Sequence, residues 1–452
     1  MKTNHTIKST ILFLALLCVG IQYSYAQKKE VKSTSYTRSS LTMIIVEEEV
    51  MPYPEVILNA YNTSNFPDKF NDNNLEFTSI NTDQYDVTPE LREHFNKALE
   101  SAEFSSKKEG MFAQIINEAL ESLSLGGGKG SKMDYAVCAY EYFNEQNTAQ
   151  EILEKWFLTK DENGNDVFST ALIEERGMYG ASQEEIDLAK QSEMGVGRLA
   201  DKGYELLNSS YVIFNRYFYI KQADLIDAID FVAQQLVEAL DNDPIAITAL
   251  KAAVAVAKKA MAEGYYVSAT SHLFKLKWDD SIQDQIFNVW GDVEQFRELN
   301  VGELQYVGNA SSMANTKAGL FSNQSTEDGV RMATINATDA VIAKLEKKFD
   351  EFKTKTAIVV DPANKSITAQ IGLKEGLESN DKYEVLEKVV KDNRITYNRV
   401  GVIKVTKKNA LIWDNRYMAN EEPDNDTAEL GKTEFSGFNK AYYTGMLIRQ
   451  ID

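Results

Sequence analysis

The chain is short of the residues that carry most familiar active-site chemistry: two cysteines, three histidines and seven prolines in 452 residues. Cys18 sits in an apolar run near the start, so beyond that run only Cys138 remains, and no intrachain disulfide can form there. Stability must come from a packed core, which a chain of this length can build. Cys138 lies among Ala136, Val137, Ala139 and Tyr140, a setting for a small core residue rather than a reactive thiol. His94 and His272 are far apart, which excludes the helical pair of histidines that binds zinc. No Gly-x-Ser-x-Gly elbow occurs, so serine-nucleophile chemistry lacks its usual turn.

Positive charge is also scarce. Lys and Arg total 48 against 68 Asp and Glu, for a formal net charge of −20. That balance argues against nucleic acid and anionic lipid as partners, since both reward basic patches. Beyond residue 26 no apolar run is long enough to span a bilayer, so no transmembrane segment is expected in the mature chain.

What is present begins with a leader. Lys2 and Lys8 precede an uncharged apolar stretch from Ile11 to Ile21, and Ser24-Tyr25-Ala26 then offers small residues at the −3 and −1 positions before Gln27. This is the pattern of a secretory signal peptide over 1–26, which places the mature protein outside the cytoplasm, in the periplasm or associated with the outer membrane. Leu17 stands where a lipoprotein needs a small residue before its cysteine.

Periodicity gives the expected elements. Tyr36 to Val46 reads as a strand, and Pro52 to Val87, rich in Asn, Asp and Thr, as a long surface loop. Thr88-Pro89-Glu90 opens a helix, and Met111 to Leu125 forms another before the break Gly126 to Ser131. Asp134 to Phe143 is helical and aromatic, and Asp161 to Asp166 turns a hairpin between Phe157-Leu158 and Val167-Phe168. Twice a helix runs into a strand: Gly197–Leu207 into Ser210–Phe214, and Pro244–Met261, capped by Asp243, into Tyr265–Leu276. That repetition suggests a sheet with helices on one side. Leu225, Ile229, Val232, Leu236 and Leu240 stripe a further helix, as do Val341, Leu345 and Phe349. From Thr356 short strands replace helices: Ala357–Val360, Ser366–Ile371, Tyr383–Leu386, Val400–Thr406 and Ala410–Trp413.

The expected fold is therefore α+β: a signal peptide at 1–26, a helix-rich α/β body at 27–352 with room for two subdomains, and an all-β, barrel-like domain at 353–452. Within that last part, Ile371-Gly372-Leu373-Lys374-Glu375-Gly376-Leu377 followed by Asp381-Lys382-Tyr383-Glu384-Val385 resembles the small β-barrel of flagellar assembly protein T. Leu172–Tyr179 and Leu199–Leu207 are similar to segments of an uncharacterised family of exported bacterial envelope proteins. These resemblances imply an extracytoplasmic setting and supply no catalytic residue.

Motifs for cofactors fail on mechanics. Gly195-Val196-Gly197-Arg198-Leu199-Ala200 matches a dinucleotide fingerprint on paper but follows a helix-like stretch instead of a strand. Gly126 to Ser131 has Gly130 between Lys129 and Ser131, which breaks the phosphate-loop order. A calcium loop starting at Asp161 would place Asp166 where glycine is needed and Leu172 where glutamate is needed. No cofactor and no metal are expected. Carboxylate pairs remain, and Asp279-Asp280 after Trp278 is the pair for a two-acid glycoside hydrolysis; a solvated turn is the plainer account of it. The leading expectation is a non-enzymatic, exported binding or assembly protein with a protein partner in the cell envelope. The alternative is a carbohydrate-active hydrolase using Asp279 and Asp280.

Overall fold

Along residues 40–47, Leu41, Met43 and Ile45 alternate with Thr42, Ile44 and Val46, and such apolar runs suit a strand covered on both faces. In the computed structural model they form β2 (Ser40–Glu47), buried over all but its last residue. The structure describes residues 36–37, 39–47, 53–63, 73, 75–101, 132–180, 193–239, 243–260, 265–315, 326–391, 394–407, 411–416, 419 and 425–451. The leader, the helix read at Met111–Leu125 and the glycine break after it lie outside those residues.

The body is built on a five-stranded mixed sheet, in the order β3 (Ser79–Asn81), β2, β6 (Ser210–Lys221), β7 (Tyr265–Leu276), β8 (Leu304–Asn315). β2 runs parallel to β3 and β6, and β6, β7 and β8 are antiparallel. Helices cover both faces, where the sequence suggested one. Ile44, Val46, Phe214 and Phe274 face α3 (Lys132–Glu145) and α4 (Thr148–Phe157), whose Phe143 meets Phe274 edge-on with ring centroids 5.1 Å apart. Leu41, Met43, Ile45 and Ile213 face α1 (Pro54–Thr63) and α11 (Thr326–Lys348). The stripe Val341, Leu345, Phe349 lies in that second core.

Between these elements the chain adds α2 (Pro89–Ser101), the hairpin β4 (Leu158–Lys160) and β5 (Asp166–Phe168), α5 (Ala171–Gly180) and α6 (Glu193–Leu207). It then adds α7 (Gln222–Ala239), α8 (Pro244–Ala260), α9 (Asp280–Asn288) and α10 (Val293–Leu299). The hairpin closes as the sequence indicates, with Asp161 Oδ1 accepting from the Asn163 and Asn165 nitrogens at 2.8 Å. Asp243 caps α8, its Oδ1 accepting from Ile245 N at 2.9 Å. The reading of 52–87 as loop was too plain: α1 and β3 fall inside it, α1 because Ile57, Ala60 and Tyr61 share one buried face.

The C-terminal part is a closed six-stranded antiparallel barrel of β9 (Lys355–Asp361), β10 (Ser366–Ala369), β13 (Thr433–Ser436), β12 (Arg394–Val405), β11 (Lys382–Lys391) and β14 (Leu447–Ile451). β14 returns to β9 through Leu447↔Ala357 and Ile448↔Thr356 and so closes the cylinder. Ile358, Ile367, Tyr383, Val385, Ile403 and Phe435 fill it. The Gly372–Gly376 bend is a 3-10 turn in which Gly376 takes φ 68°, and a Cβ on Gly372 would stand 2.1 Å from the Trp413 carbonyl oxygen. The strand read at Ala410–Trp413 is absent over its described residues, 411–413.

Two stretches of chain join body and barrel. β1 (Tyr36–Thr37) pairs with β9 through Tyr36↔Thr356, and the chain then enters β2 through Ser39. From α11 the chain passes through the turn Asp350–Phe352 into β9. Phe352 is buried in the body core, and Thr354 Oγ1 donates to Glu346 at 2.6 Å.

Candidate functional site

A lysine inside an apolar strand must either reach solvent or sit beside something that tolerates its charge. Two such lysines are Lys275, which follows Leu273-Phe274 in β7, and Lys355, which opens the run Thr356-Ala357-Ile358-Val359-Val360 in β9. The fold brings both to one cleft of about 220 Å³ between body and barrel. The C-terminal end of α6 (Glu205, Asn208, Ser209) forms one wall, and Asp350, Glu351 and Lys353 of the connecting turn form another. Arg449 on β14 and Ser39 between β1 and β2 complete it. Tyr211 in its floor donates its hydroxyl to the Glu351 carbonyl oxygen at 2.8 Å.

Most charges around the cleft are matched. Glu205 accepts from Lys202 at 2.9 Å, Asp350 holds Lys353, and Arg449 binds Glu384 through Nε and Nη2 at 2.8 and 2.6 Å. Three are not. Among the described residues no carboxylate stands within ion-pair distance of Lys275 or Lys355, although Lys355 Nζ lies 4.9 Å from the centre of the Tyr397 ring. Burial pushes both ammonium groups below the ordinary lysine value. For Lys355 the neighbouring Arg449 adds to that effect, and Glu205 opposes it. Glu351 Oε2 is buried without a hydrogen-bond partner. The cleft thus presents two ammonium groups without a direct ion pair and one carboxylate oxygen without a hydrogen bond, a lining that can accept a ligand carrying both an anionic group and N–H donors.

The residues singled out from sequence lie elsewhere. Asp279 is the N-cap of α9, its Oδ1 accepting from Ile282 N at 2.9 Å, and Asp280 is the first residue of that helix. Both are exposed, and neither lines the cleft. His94 Nδ1 is 2.8 Å from Glu141 Oε1 at the surface, and His272 is buried with Nδ1 3.1 Å from the Tyr306 hydroxyl. Cys138 is buried in α3. Asp166 is held by Lys160 at 2.7 Å and Arg297 at 2.8 Å. Gly195 and Gly197 lie within α6. Among the described residues no group of three or more His, Cys, Asp or Glu side chains is placed to hold a metal, and no helix is long and apolar enough to cross a membrane.

Sequence reasoning passed over Lys275, Lys355, Glu351 and Arg449. The available signal was the lysine that interrupts each apolar strand, which only the fold could show to be the same place. Compared with known proteins, the chain matches no family model and no curated protein, and nothing in that comparison ties its barrel to flagellar assembly protein T.

Proposed function

We propose that this is an exported, non-enzymatic binding protein of the cell envelope that holds a small zwitterionic solute, such as a free amino acid, in the cleft between body and barrel. The observation that carries the reading is the set of charged atoms there without a direct ion pair or hydrogen bond: the Lys275 and Lys355 ammonium groups and the buried Glu351 Oε2, in a cavity of about 220 Å³. A carboxylate on the ligand answers the two lysines, and its ammonium answers Glu351. A cleft of about 220 Å³ has room for such a small solute. Binding is favoured over turnover because the other acids of the cleft, Glu205 and Asp350, are already engaged by Lys202 and Lys353. The signal-peptide pattern before Gln27 supports export, and the barrel, by its resemblance to an envelope assembly domain, is assigned to contact a protein partner.

The test is calorimetric titration of the protein with glycine, L-glutamate, acetate, ethylammonium chloride and inorganic phosphate. The amino acids should bind at least about tenfold tighter than acetate or ethylammonium, since each of those answers only half the lining. Lys275→Met and Lys355→Met should each weaken amino-acid binding by at least about tenfold. Heats absent with every solute, or unchanged in both variants, reject the cleft as the binding site. N-terminal sequencing of the protein from its host envelope should start near Gln27, and a chain that keeps Met1 rejects export.

A further inference from the structure

The sheet of the body ends on one side in β8, a strand of twelve residues. Among the described residues no strand but β7 pairs with it, in a ladder that runs from Leu276↔Leu304 to Tyr266↔Asn315. In an antiparallel ladder each residue turns its N–H and C=O to the same side, and successive residues alternate between the two sides. Asn309 and Ser311 are two apart, so their backbone groups share one side of β8. A bare edge of this length is a template for a further strand.

This edge is not bare at its middle. Lys344 Nζ donates to the Ser311 carbonyl oxygen at 2.7 Å, and Lys348 Nζ donates to the Asn309 carbonyl oxygen at 3.0 Å. The two lysines lie about 6 Å apart along α11 and the two carbonyls about 7 Å apart along β8, so helix and strand run antiparallel with matching spacing. A Cβ on Gly308 would stand 2.3 Å from the Phe349 ring, so glycine lets this end of α11 approach β8 so closely. Lysine suits the position because its ammonium satisfies a carbonyl while holding a charge where a second strand would have to bury it.

Pairing between two copies is what this arrangement opposes most. Two β8 strands meeting antiparallel about Ala310 would set Asn309 of one copy against Ser311 of the other, bringing Lys348 of each beside Lys344 of the second. Each new strand bond would also have to displace an ammonium from its carbonyl. We propose that Lys344 and Lys348 guard the edge of β8, and that without them the chain associates with a second copy through β8–β8 pairing.

The test compares the full chain with Lys344→Met/Lys348→Met and Lys344→Arg/Lys348→Arg, each checked for folding by circular dichroism. In sedimentation velocity the Met variant should self-associate at concentrations at least about tenfold below wild type. The Arg variant should behave as wild type does, since guanidinium keeps both the donors and the charge. Lys344 is exposed, so Lys344→Met alone should show the same loss, at about threefold, if the double variant does not fold. Hydrogen exchange locates the contact: amides of residues 304–315 should gain protection in the associated Met variant, as a second strand takes up the N–H groups of Asn309 and Ser311. Folded Met variants that associate no more than wild type overturn the proposal. Association without protection of β8 also overturns it, by placing the contact elsewhere. So does an Arg variant that associates as strongly as the Met variant, since the charge at the edge would then not be what prevents pairing.

Discussion

Gly177 of α5 and Gly203 of α6 meet where the two helices cross: a Cβ on Gly177 would come to 3.0 Å from the Gly203 nitrogen and 1.9 Å from the Leu199 carbonyl oxygen. The relation is mutual, for a Cβ on Gly203 would come to 2.1 Å from the Ile173 carbonyl oxygen. Those clashes are with backbone, which cannot swing aside as a side chain can. α6 ends just beyond the crossing, and Glu205, Asn208 and Ser209 at that end form a wall of the cleft. Gly203→Ala should therefore push the helices apart and cost about 1–3 kcal/mol, as overpacking does. Thermal unfolding measures the loss, and the same variant should bind amino acids more weakly. A Gly203→Ala protein with unchanged melting temperature would show that the helices do not cross this closely.

Much of the architecture was legible before the fold was known. β-branched and aromatic runs marked β6 and β7, Asp243 marked the start of α8, and the Asp161 turn marked the β4–β5 hairpin. The α+β class and the barrel-like C-terminus followed from the change of period near residue 353. What was not legible depended on tertiary partners. α1 hides in a polar stretch because only Ile57, Ala60 and Tyr61 turn inward. Helices on both faces of the sheet could not be counted from β2, since a doubly covered strand and a buried helix segment share an apolar run. The cleft was invisible because Lys275 and Lys355 are 80 residues apart in sequence and belong to different sheets.

Lys355 should trade stability for binding. Its ammonium is desolvated and has no direct ion pair, so Lys355→Met ought to raise the stability of the ligand-free protein by about 0.5–1 kcal/mol while removing the ligand's charge partner. The pH dependence has a definite sign. The folded-state pKa lies below the unfolded one, so the unfolded chain binds more protons and stability rises as pH climbs from the folded value to the unfolded value. Ligand binding should weaken over the same interval as the ammonium discharges. Denaturant melts of wild type and Lys355→Met between pH 7 and 10.5 check this; parallel curves would show that Lys355 titrates as a solvent-exposed lysine does.

Asp414 should give the barrel an acid limit. Its carboxylate is 4 % exposed and accepts from Arg416 Nε and Nη2 at 2.9 and 2.6 Å and from Asn425 Nδ2 at 2.9 Å. Burial works to raise its pKa, and the hydrogen bonds from Arg416 and Asn425 outweigh it, leaving the carboxyl below the usual aspartate value. Its contribution is complete above the unfolded value of about 3.9 and is lost as pH falls through the folded value. Asp414→Asn should cost about 1.5–3 kcal/mol at pH 7, the range for hydrogen bonds to a charged group, and flatten stability against pH below 4. Urea melts from pH 2.5 to 7 would expose an error here: an Asn variant as steeply acid-sensitive as wild type removes Asp414 from that role.

The barrel should fold without the body. Its six strands close on themselves through Leu447↔Ala357, Ile448↔Thr356 and Arg449↔Lys355, and none of those pairs needs a residue before 355. Its interior is its own: Ile358, Ile367, Tyr383, Val385, Ile403, Phe435 and Ile448 pack together, with the Tyr383 and Phe435 rings 5.4 Å apart and nearly perpendicular. What a fragment of residues 355–452 gives up is peripheral. It loses the β1 pairing at Thr356, the ion pairs of Lys347 with Glu378 and Asp381, the Lys202–Tyr397 contact and the contact of Ala343 with the turn at Gly376. An exposed ion pair contributes about 1 kcal/mol or less, and two residues of edge pairing add little to a sheet already closed. The fragment should show β-type circular dichroism and one cooperative thermal transition, at a lower temperature than the barrel has in the full chain. It should not bind amino acids, because Lys275, Glu351 and the end of α6 are missing from its half of the cleft. A fragment without a cooperative transition would mean that the body is needed to close the barrel, and a fragment that bound amino acids with full affinity would move the site into the barrel alone.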